Sequence, residues 1–568
     1  MPEETTDPKP SHQNAPKPRV IWFGFAVREP TSRGSLRLRL RWGRISVLLL
    51  ILAISGWMAK SAGLYFFFKE FRDFDDVAFT DMILFPLNRD NVRIEQGNYQ
   101  VEQGQLAMER QDYRRAYVLL REGVARSPGN VEGRMLLARI YAGWRPDLAN
   151  DLLIEGVDGA LDHPEYAQLL CALLLREKED ERLLQLVEEL DLEALDETIR
   201  RQFLVAQLQA ALLNGRYTVV KEIFESSDIS GSLDGVMLGT EMYIRAGEYE
   251  YAANVLLSVI NSLPEADLDP IYNQLVKVFK AQGNFDRARE AAIELVIRNP
   301  LEWQPRILLI DVLSASERLD RRDREIEAML QRHRNDEEAM VGLAQLTAEY
   351  GNVPAASRLY ELALENGYVL SLFSLTLAEA MVNNGEHAKA IELCNELVRE
   401  NPGWLVDAEG SFNSIRSLAY FGVGDTELGN LYLNNFLDSR RGTVNLLFQS
   451  SKSFQKAGLM QQALRILDEA HTRDPRNEAV LASLIDVEMR LGDFYSINEH
   501  LETLIGLRRP NYDLLESIRS RLLSDRFLYT ENRVSLLNKL DSILQEVDNV
   551  DWKIWTRQSP EEPPSEPS

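Results

Sequence analysis

EEAMVGLAQLTAEYGNVPAASRLYELALENGYVL, from Glu337 to Leu370, runs directly into SLFSLTLAEAMVNNGEHAKAIELCNELVRENPGW, from Ser371 to Trp404. Each stretch is 34 residues long and the two stay in phase. Leu343-Ala344 is answered by Leu377-Ala378, Gly351 by Gly385, and Ala356 by Ala390. A fixed period with small and large apolar residues at matching offsets marks a helical repeat. Each copy is one supersecondary unit whose apolar face can be buried only against the next.

Inside each copy the glycine separates two apolar-periodic segments. It supplies a left-handed C-cap for the first helix, and Pro402 stops the second. Small residues on either side, Ala378 before the glycine and Ala390 after it, let the two helices approach closely. The phase can be followed outward. Upstream it begins at Gly97, with Gly104, Asp112-Tyr113, Ala116, Leu120 and Pro128 in the characteristic places. It blurs over Val131 to Glu197, where Tyr141, Ala149 and Pro164 are off the spacing, and resumes with Gly215, Val220 and Phe224. Gly247-Glu248-Tyr249 follows, then four unbroken units from Asp269, Trp303, Glu337 and Ser371. In the second of these Glu317 holds the glycine's place. Gly424-Asp425, Gly458-Leu459-Met460 and Gly492-Asp493-Phe494 continue the series downstream.

Gly-Asp/Asn-aromatic-x-x-Ala, with Pro twelve residues after the Ala, resembles the tetratricopeptide repeat family over most of Gly97 to Asn511. The resemblance implies an all-α fold: a tetratricopeptide-type α-solenoid of about twelve helix-turn-helix repeats over residues 97–511. In such a stack each repeat is expected to touch only its neighbours. Residues 512–550 are expected to form capping helices, and 551–568 a disordered tail. Trp552 and Trp555 are expected to pack back on that cap.

In that family the first helices of the hairpins line a concave groove. Carried over to this chain, the groove candidates are Asn273, Lys277 and Lys280; Arg245, beside Glu241 and Ile244; and Phe448, Lys452, Gln455 and Lys456. Other units place Met108, Leu212, Val382, Phe421 and Met489 there. The basic positions are dispersed, which disfavours a clamp on a terminal carboxylate and favours an extended or helical peptide.

Before the repeats, residues 1–44 are expected to be a disordered, basic, cytoplasmic segment. The apolar run Val20 to Val27 within it is too short to cross a bilayer. Residues 45–68 are expected to form a transmembrane helix, with Lys60 near its far end where the amine can reach the interface. Arg37, Arg39, Arg41 and Arg44 precede this span, and acidic residues outnumber basic ones after it. The positive-inside rule then places the N-terminus in the cytoplasm and the solenoid outside it. The alternative is a signal peptide cleaved near Ser61 and a secreted protein. Residues 69–96 are expected to be a linker in which Phe85-Pro86 breaks any helix.

At 568 residues the chain exceeds what one compact core usually holds. Its net charge is -25, although residues 1–44 carry nine Lys/Arg against four Asp/Glu. A strongly acidic body repels phosphate backbones, so nucleic-acid binding is not expected. Cys171 and Cys394 form no CxxC. They read as buried inert thiols rather than a disulfide, since distant repeats should not meet. No phosphate-loop, dinucleotide, zincin or serine-hydrolase motif occurs in the sequence. The expectation is therefore no enzyme, no cofactor, no metal and no small-molecule substrate. The expected partners are other proteins or peptide segments, with the membrane held through residues 45–68. The expected role is a membrane-anchored scaffold in assembly of a bacterial cell-envelope complex, for secretion, polysaccharide export or envelope maintenance. The alternatives are a periplasmic chaperone for unfolded clients and a polysaccharide-contacting module.

Overall fold

The computed structural model describes residues 19–21, 24–30, 36–71, 78–400, 402–439, 442–492, 496–527 and 533–548. The expectations for Met1 to Pro18, for Trp552 and Trp555, and for residues 551–568 lie outside these residues. Two compact units divide the chain, 1–173 and 174–568.

In the first unit, part of the segment expected to be disordered is a three-stranded antiparallel sheet. It comprises β1 (Arg19–Ile21), β2 (Ala26–Pro30) and β3 (Leu36–Leu40), in that order. Val27 pairs with Val20 on one side and Arg39 on the other. Leu-Arg-Leu-Arg-Leu alternates with period two, which suits a strand, and Ala26 and Val27 are buried. Helix α1 (Trp42–Phe66) follows and ends in a π-turn, Phe67–Phe71. It starts three residues before the expected span.

The expected linker is largely helical as well. Helix α2 (Phe79–Ile83) leads into α3 (Phe85–Glu109), with Pro86 in its first turn. Proline is tolerated there because that N–H has no intrahelical partner, and the chain kinks just after it, at Asn88 (φ -112°, ψ 18°), before α3 runs on to Glu109. Helix α3 pairs with Tyr113–Arg126, and Val131–Tyr141 pairs with Pro146–Glu155. Gly104 is a true close approach: a Cβ there would lie 2.7 Å from Leu120.

The second unit is a run of helical hairpins. Their helix pairs are Glu197–Leu213 with Tyr217–Ser226, Leu233–Arg245 with Tyr249–Val259, Leu268–Ala281 with Phe285–Arg298, and Gln304–Ala315 with Leu319–Arg332. Next come Glu337–Glu349 with Val353–Asn366, Leu370–Asn383 with His387–Glu400, and Glu409–Gly422 with Thr426–Asp438. Val444–Lys456 with Met460–Arg473, and Glu478–Leu491 with Ile497–Leu507, complete the series. Tyr512–Leu523 and Arg533–Asp548 then cover the last hairpin, burying Leu515, Leu522, Leu540 and Leu544 against Leu481, Ile485 and Leu501.

The repeat motif works as two caps in succession. Gly351 is left-handed (φ 64°) and ends the first helix; the Asn352 side chain then accepts from the Ala355 N–H and starts the second. Asn284 and Asp425 do the same in their units. Where glycine is missing, Gln111, Lys178 and Glu317 carry the positive φ themselves. Leu343, Leu359, Ala363, Ala390 and Cys394 are fully buried between hairpins. His387 also packs, its ring lying where a Cβ on Gly422 would fall.

Candidate functional site

The first helix of each hairpin carries the groove candidates. The structure ties most of those candidates to the protein itself. Lys280 bonds Asp311 of the next hairpin at 2.5 Å. The other oxygen of Asp311 accepts from the Tyr350 hydroxyl, one hairpin further on, at 2.7 Å. Burial first, then the Asp311 hydrogen bond, push the Tyr350 pKa up, so the phenol stays a donor. Three successive first helices are thus joined by one carboxylate.

Lys456 is exposed, yet its amine donates to the Glu349 carbonyl at 3.0 Å, across three hairpins. Such a reach requires first helices to line the inside of a tight curve. Glu379 lies between them. Burial, and then the Glu349 charge, raise its pKa, while Lys456 opposes the shift. Lys452 sits over the Phe448 ring, 4.3 Å from its centroid. Gln455 bonds Ser483 of the following hairpin. Leu212, Val382 and Met489, expected along the groove, are core residues buried against neighbouring helices. Phe421 is half-buried and packs edge-on to Phe454.

Arg245 is held in a different contact. It bonds Glu241 on its own helix and donates to the Arg509 carbonyl at 3.2 Å, 264 positions away. This contact belongs to a clasp that joins the two ends of the second unit. Arg508 grips both oxygens of Asp180 at 2.7 Å and donates to the Leu175 carbonyl at 2.6 Å. Asp180 is 2% exposed and the Arg508 side chain 12%. Asn214 also bonds Asp180. The Arg509 N–H donates to Leu213 O at 2.8 Å, and Tyr249 donates to Asp513 at 2.6 Å. Burial first, then Asp513, raise the Tyr249 pKa to about 12. Lys178 pairs with Glu478 and with the Arg476 carbonyl. The turn glycine Gly247 (φ 78°) faces this loop, and a Cβ on it would lie 3.1 Å from Asp513.

The expectation that each repeat touches only its neighbours therefore fails here. The second unit curves until residues 175–249 meet its last hairpin, and charged and polar groups close the gap. Of the candidates, Asn273 and Lys277 stay exposed on the first helix Leu268–Ala281, where Asn273 bonds the Asp269 carbonyl of its own helix, and Lys452 stays exposed on Val444–Lys456. Sequence reasoning missed Asp180, Asp311, Glu379 and Arg508. None has a place in the repeat pattern. The one visible hint was the basic pair Arg508-Arg509 before Pro510. Cys171 and Cys394 are free and buried, and burial pushes both thiols up to about 12.

Residues 326–403, which cover the two repeats from Glu337 up to Gly403, match a family model described as Tetratricopeptide repeat. No curated relative matches the sequence. Among solved structures, the pentatricopeptide repeat protein PPR10 in complex with an 18-nt psaJ RNA element is 16% identical. That match covers 89% of this chain and 77% of that one, with a TM-score of 0.42. A tetratricopeptide repeat protein from Parabacteroides merdae ATCC 43184 is 14% identical over 45% of this chain and 98% of that one, TM-score 0.28. The APC/C hetero-tetramer Cut9-Hcn1 is 14% identical, covering 81% and 96%, TM-score 0.24.

Proposed function

We propose that this tetratricopeptide-repeat protein is a membrane-held scaffold for protein partners, working in assembly of a cell-envelope complex with its repeats on the non-cytoplasmic side. The observation that carries the reading is the joining of two elements in one chain. Helix α1 is long and apolar enough to cross a bilayer and is exposed from Ser46 to Lys60, and an array of helical hairpins follows it. Hairpin arrays present extended surfaces for peptide and protein segments. The basic start of α1 and the acidic stretch after it support the orientation.

The contacts within the array narrow where a partner would bind. Lys280, Lys456 and Arg245 already have partners inside the chain. Asn273, Lys277 and Lys452 remain exposed, Lys452 over the Phe448 ring of its own helix. Crosslinking in intact cells, followed by purification of the full chain in mild detergent, tests the proposal. A stoichiometric protein partner supports it. Broad, weak capture of unfolded clients would favour the chaperone reading instead, and no protein above background would sink both. Reporter fusions at each end of α1 test the topology.

A further inference from the structure

From α1 and the helices packed on it we infer that the bilayer's far boundary lies at Trp57–Lys60, and that the α2–α3 corner, through Leu84 and Leu87, rests on the membrane interface. This inference rests on the anchor reading. Every residue from Ser46 to Lys60 is exposed, and among the described residues the end of α2 reaches α1 there at Trp57. At Ser61 this changes. Ser61 is buried, and Leu64, Tyr65 and Phe68 pack with Met82, Phe85, Val92 and Tyr99. The Trp57 indole donates to the Ile83 carbonyl at 2.9 Å, which fixes the end of α2 alongside that turn of α1.

Helix geometry then decides the depth. At ~1.5 Å per residue, Trp57 lies ~18 Å along the axis from Ile45. A hydrocarbon core of ~30 Å beginning at Ile45 would extend to about residue 65. Asp81, Arg89 and Asp90, on and beside the α2–α3 corner, would then be submerged, which is costly for charged groups facing lipid. A span from Trp42 to Lys60 covers ~27 Å and leaves that corner outside. It puts a tryptophan near each boundary, Trp42 and Trp57, as interfacial aromatic belts require. The Lys60 amine lies 5.5 Å from the Trp57 ring centroid, at headgroup level. Leu84 (47% exposed) and Leu87 (85%) are bare leucines at this corner, as Phe66 and Phe67 are exposed at the end of α1. Bare leucines beside a membrane helix fit the zone where headgroups meet acyl chains.

Spin labels on the full chain in vesicles of phosphatidylethanolamine and phosphatidylglycerol test this. Cys171 and Cys394 are buried with raised thiol pKa values, so an engineered surface cysteine takes the label. Labels replace Leu52, Phe66, Leu87 and, as a solvent control on the helix Tyr113–Arg126, Val118. The expected result is deep oxygen access at Leu52, intermediate depth at Phe66 and Leu87, and full access of an aqueous nickel chelate at Val118. A Leu87 label as open to the chelate as Val118, with Leu52 deep, overturns the interfacial corner and leaves the anchor standing. A Phe66 label as deep as Leu52 overturns the boundary. A Leu52 label open to the chelate removes the anchor and this inference with it.

Discussion

The hairpins from Glu337 to Trp404 and the clasp between residues 175–249 and 476–513 hold the second unit together by different physics. In the former, Leu343, Leu359, Ala363, Ala390 and Cys394 are sealed in apolar contact between consecutive units. In the latter, Arg508, Asp180, Lys178, Glu478, Tyr249 and Asp513 meet across hundreds of residues through hydrogen bonds and ion pairs. Apolar burial is favourable wherever water is excluded and demands little direction. A buried ion pair roughly offsets its own desolvation and is strongly unfavourable only when half of it is removed. The stack therefore supplies stability. The clasp decides whether the unit is closed.

Leu359→Ala is the strongest test on the stack side. It leaves a cavity between hairpins and should cost about 2–5 kcal/mol by denaturant unfolding. A loss below ~1 kcal/mol would mean that the stack collapses around the gap and is less rigid than described. Arg508→Ala comes next, at about 1–3 kcal/mol, because an opened clasp lets water reach Asp180. Hydrogen exchange should accelerate at residues 175–180, 213–215 and 497–513 and stay unchanged over 337–404. Equal acceleration in both regions would erase the distinction between them. Glu317→Gly should stabilise its hairpin by about 1 kcal/mol, since a left-handed backbone (φ 55°) strains a residue bearing a Cβ. A neutral or negative shift in the unfolding midpoint would show that the glutamate side chain makes up for the strain.

A smaller effect tunes the clasp by pH. His500 lies on Ile497–Leu507, just before Arg508, with its ring 5.1 Å from that of His471. Burial lowers the His500 pKa, but the hydrogen bond and charge of buried Glu488, with Asp468 and Glu499, reverse the net direction to upward. Its stabilisation is complete below the ordinary histidine pKa and is lost as pH rises through the raised value. His471 goes the other way: burial, then the charge of His500, lower it, against Asp468, Glu499 and Asp474. Its contribution is present above the ordinary value and fades as pH falls through the lowered one. The last hairpin should therefore be most protected near pH ~6.5, where histidine ordinarily titrates, and less so on both sides. His500→Gln should remove the alkaline loss; a profile unchanged by that variant would rule the pair out. The smallest effects belong to Asn273→Ala and Lys277→Ala, within ~0.5 kcal/mol in stability. A drop in partner capture without a change in midpoint would mark them as part of the binding face.

The hairpin units were legible in sequence because their determinants are local and periodic. Gly351, Asn352 and Ala356 sit at fixed offsets, and each acts within its own hairpin or on the next. The helix within the expected linker was hidden by a proline read as a breaker; Pro86 sits in a first turn, and only a kink at Asn88 separates that turn from the long run to Glu109. The strand Leu36–Leu40 was hidden by its basic residues, although its period of two was visible. The partners of the groove candidates were hidden for another reason. Side chains placed by repeat position looked free, yet Lys280, Arg245 and Lys456 face acceptors on other hairpins, and no repeat offset reports those.

Sequence alone determined that this chain is a stack of helical hairpins preceded by an apolar helix, because period, caps and hydropathy act within a few tens of residues. Only the tertiary structure decided that the second unit closes on itself. Curvature accumulates over many small inter-hairpin rotations, and the residues that meet at its end, Asp180 and Arg508, are 328 positions apart.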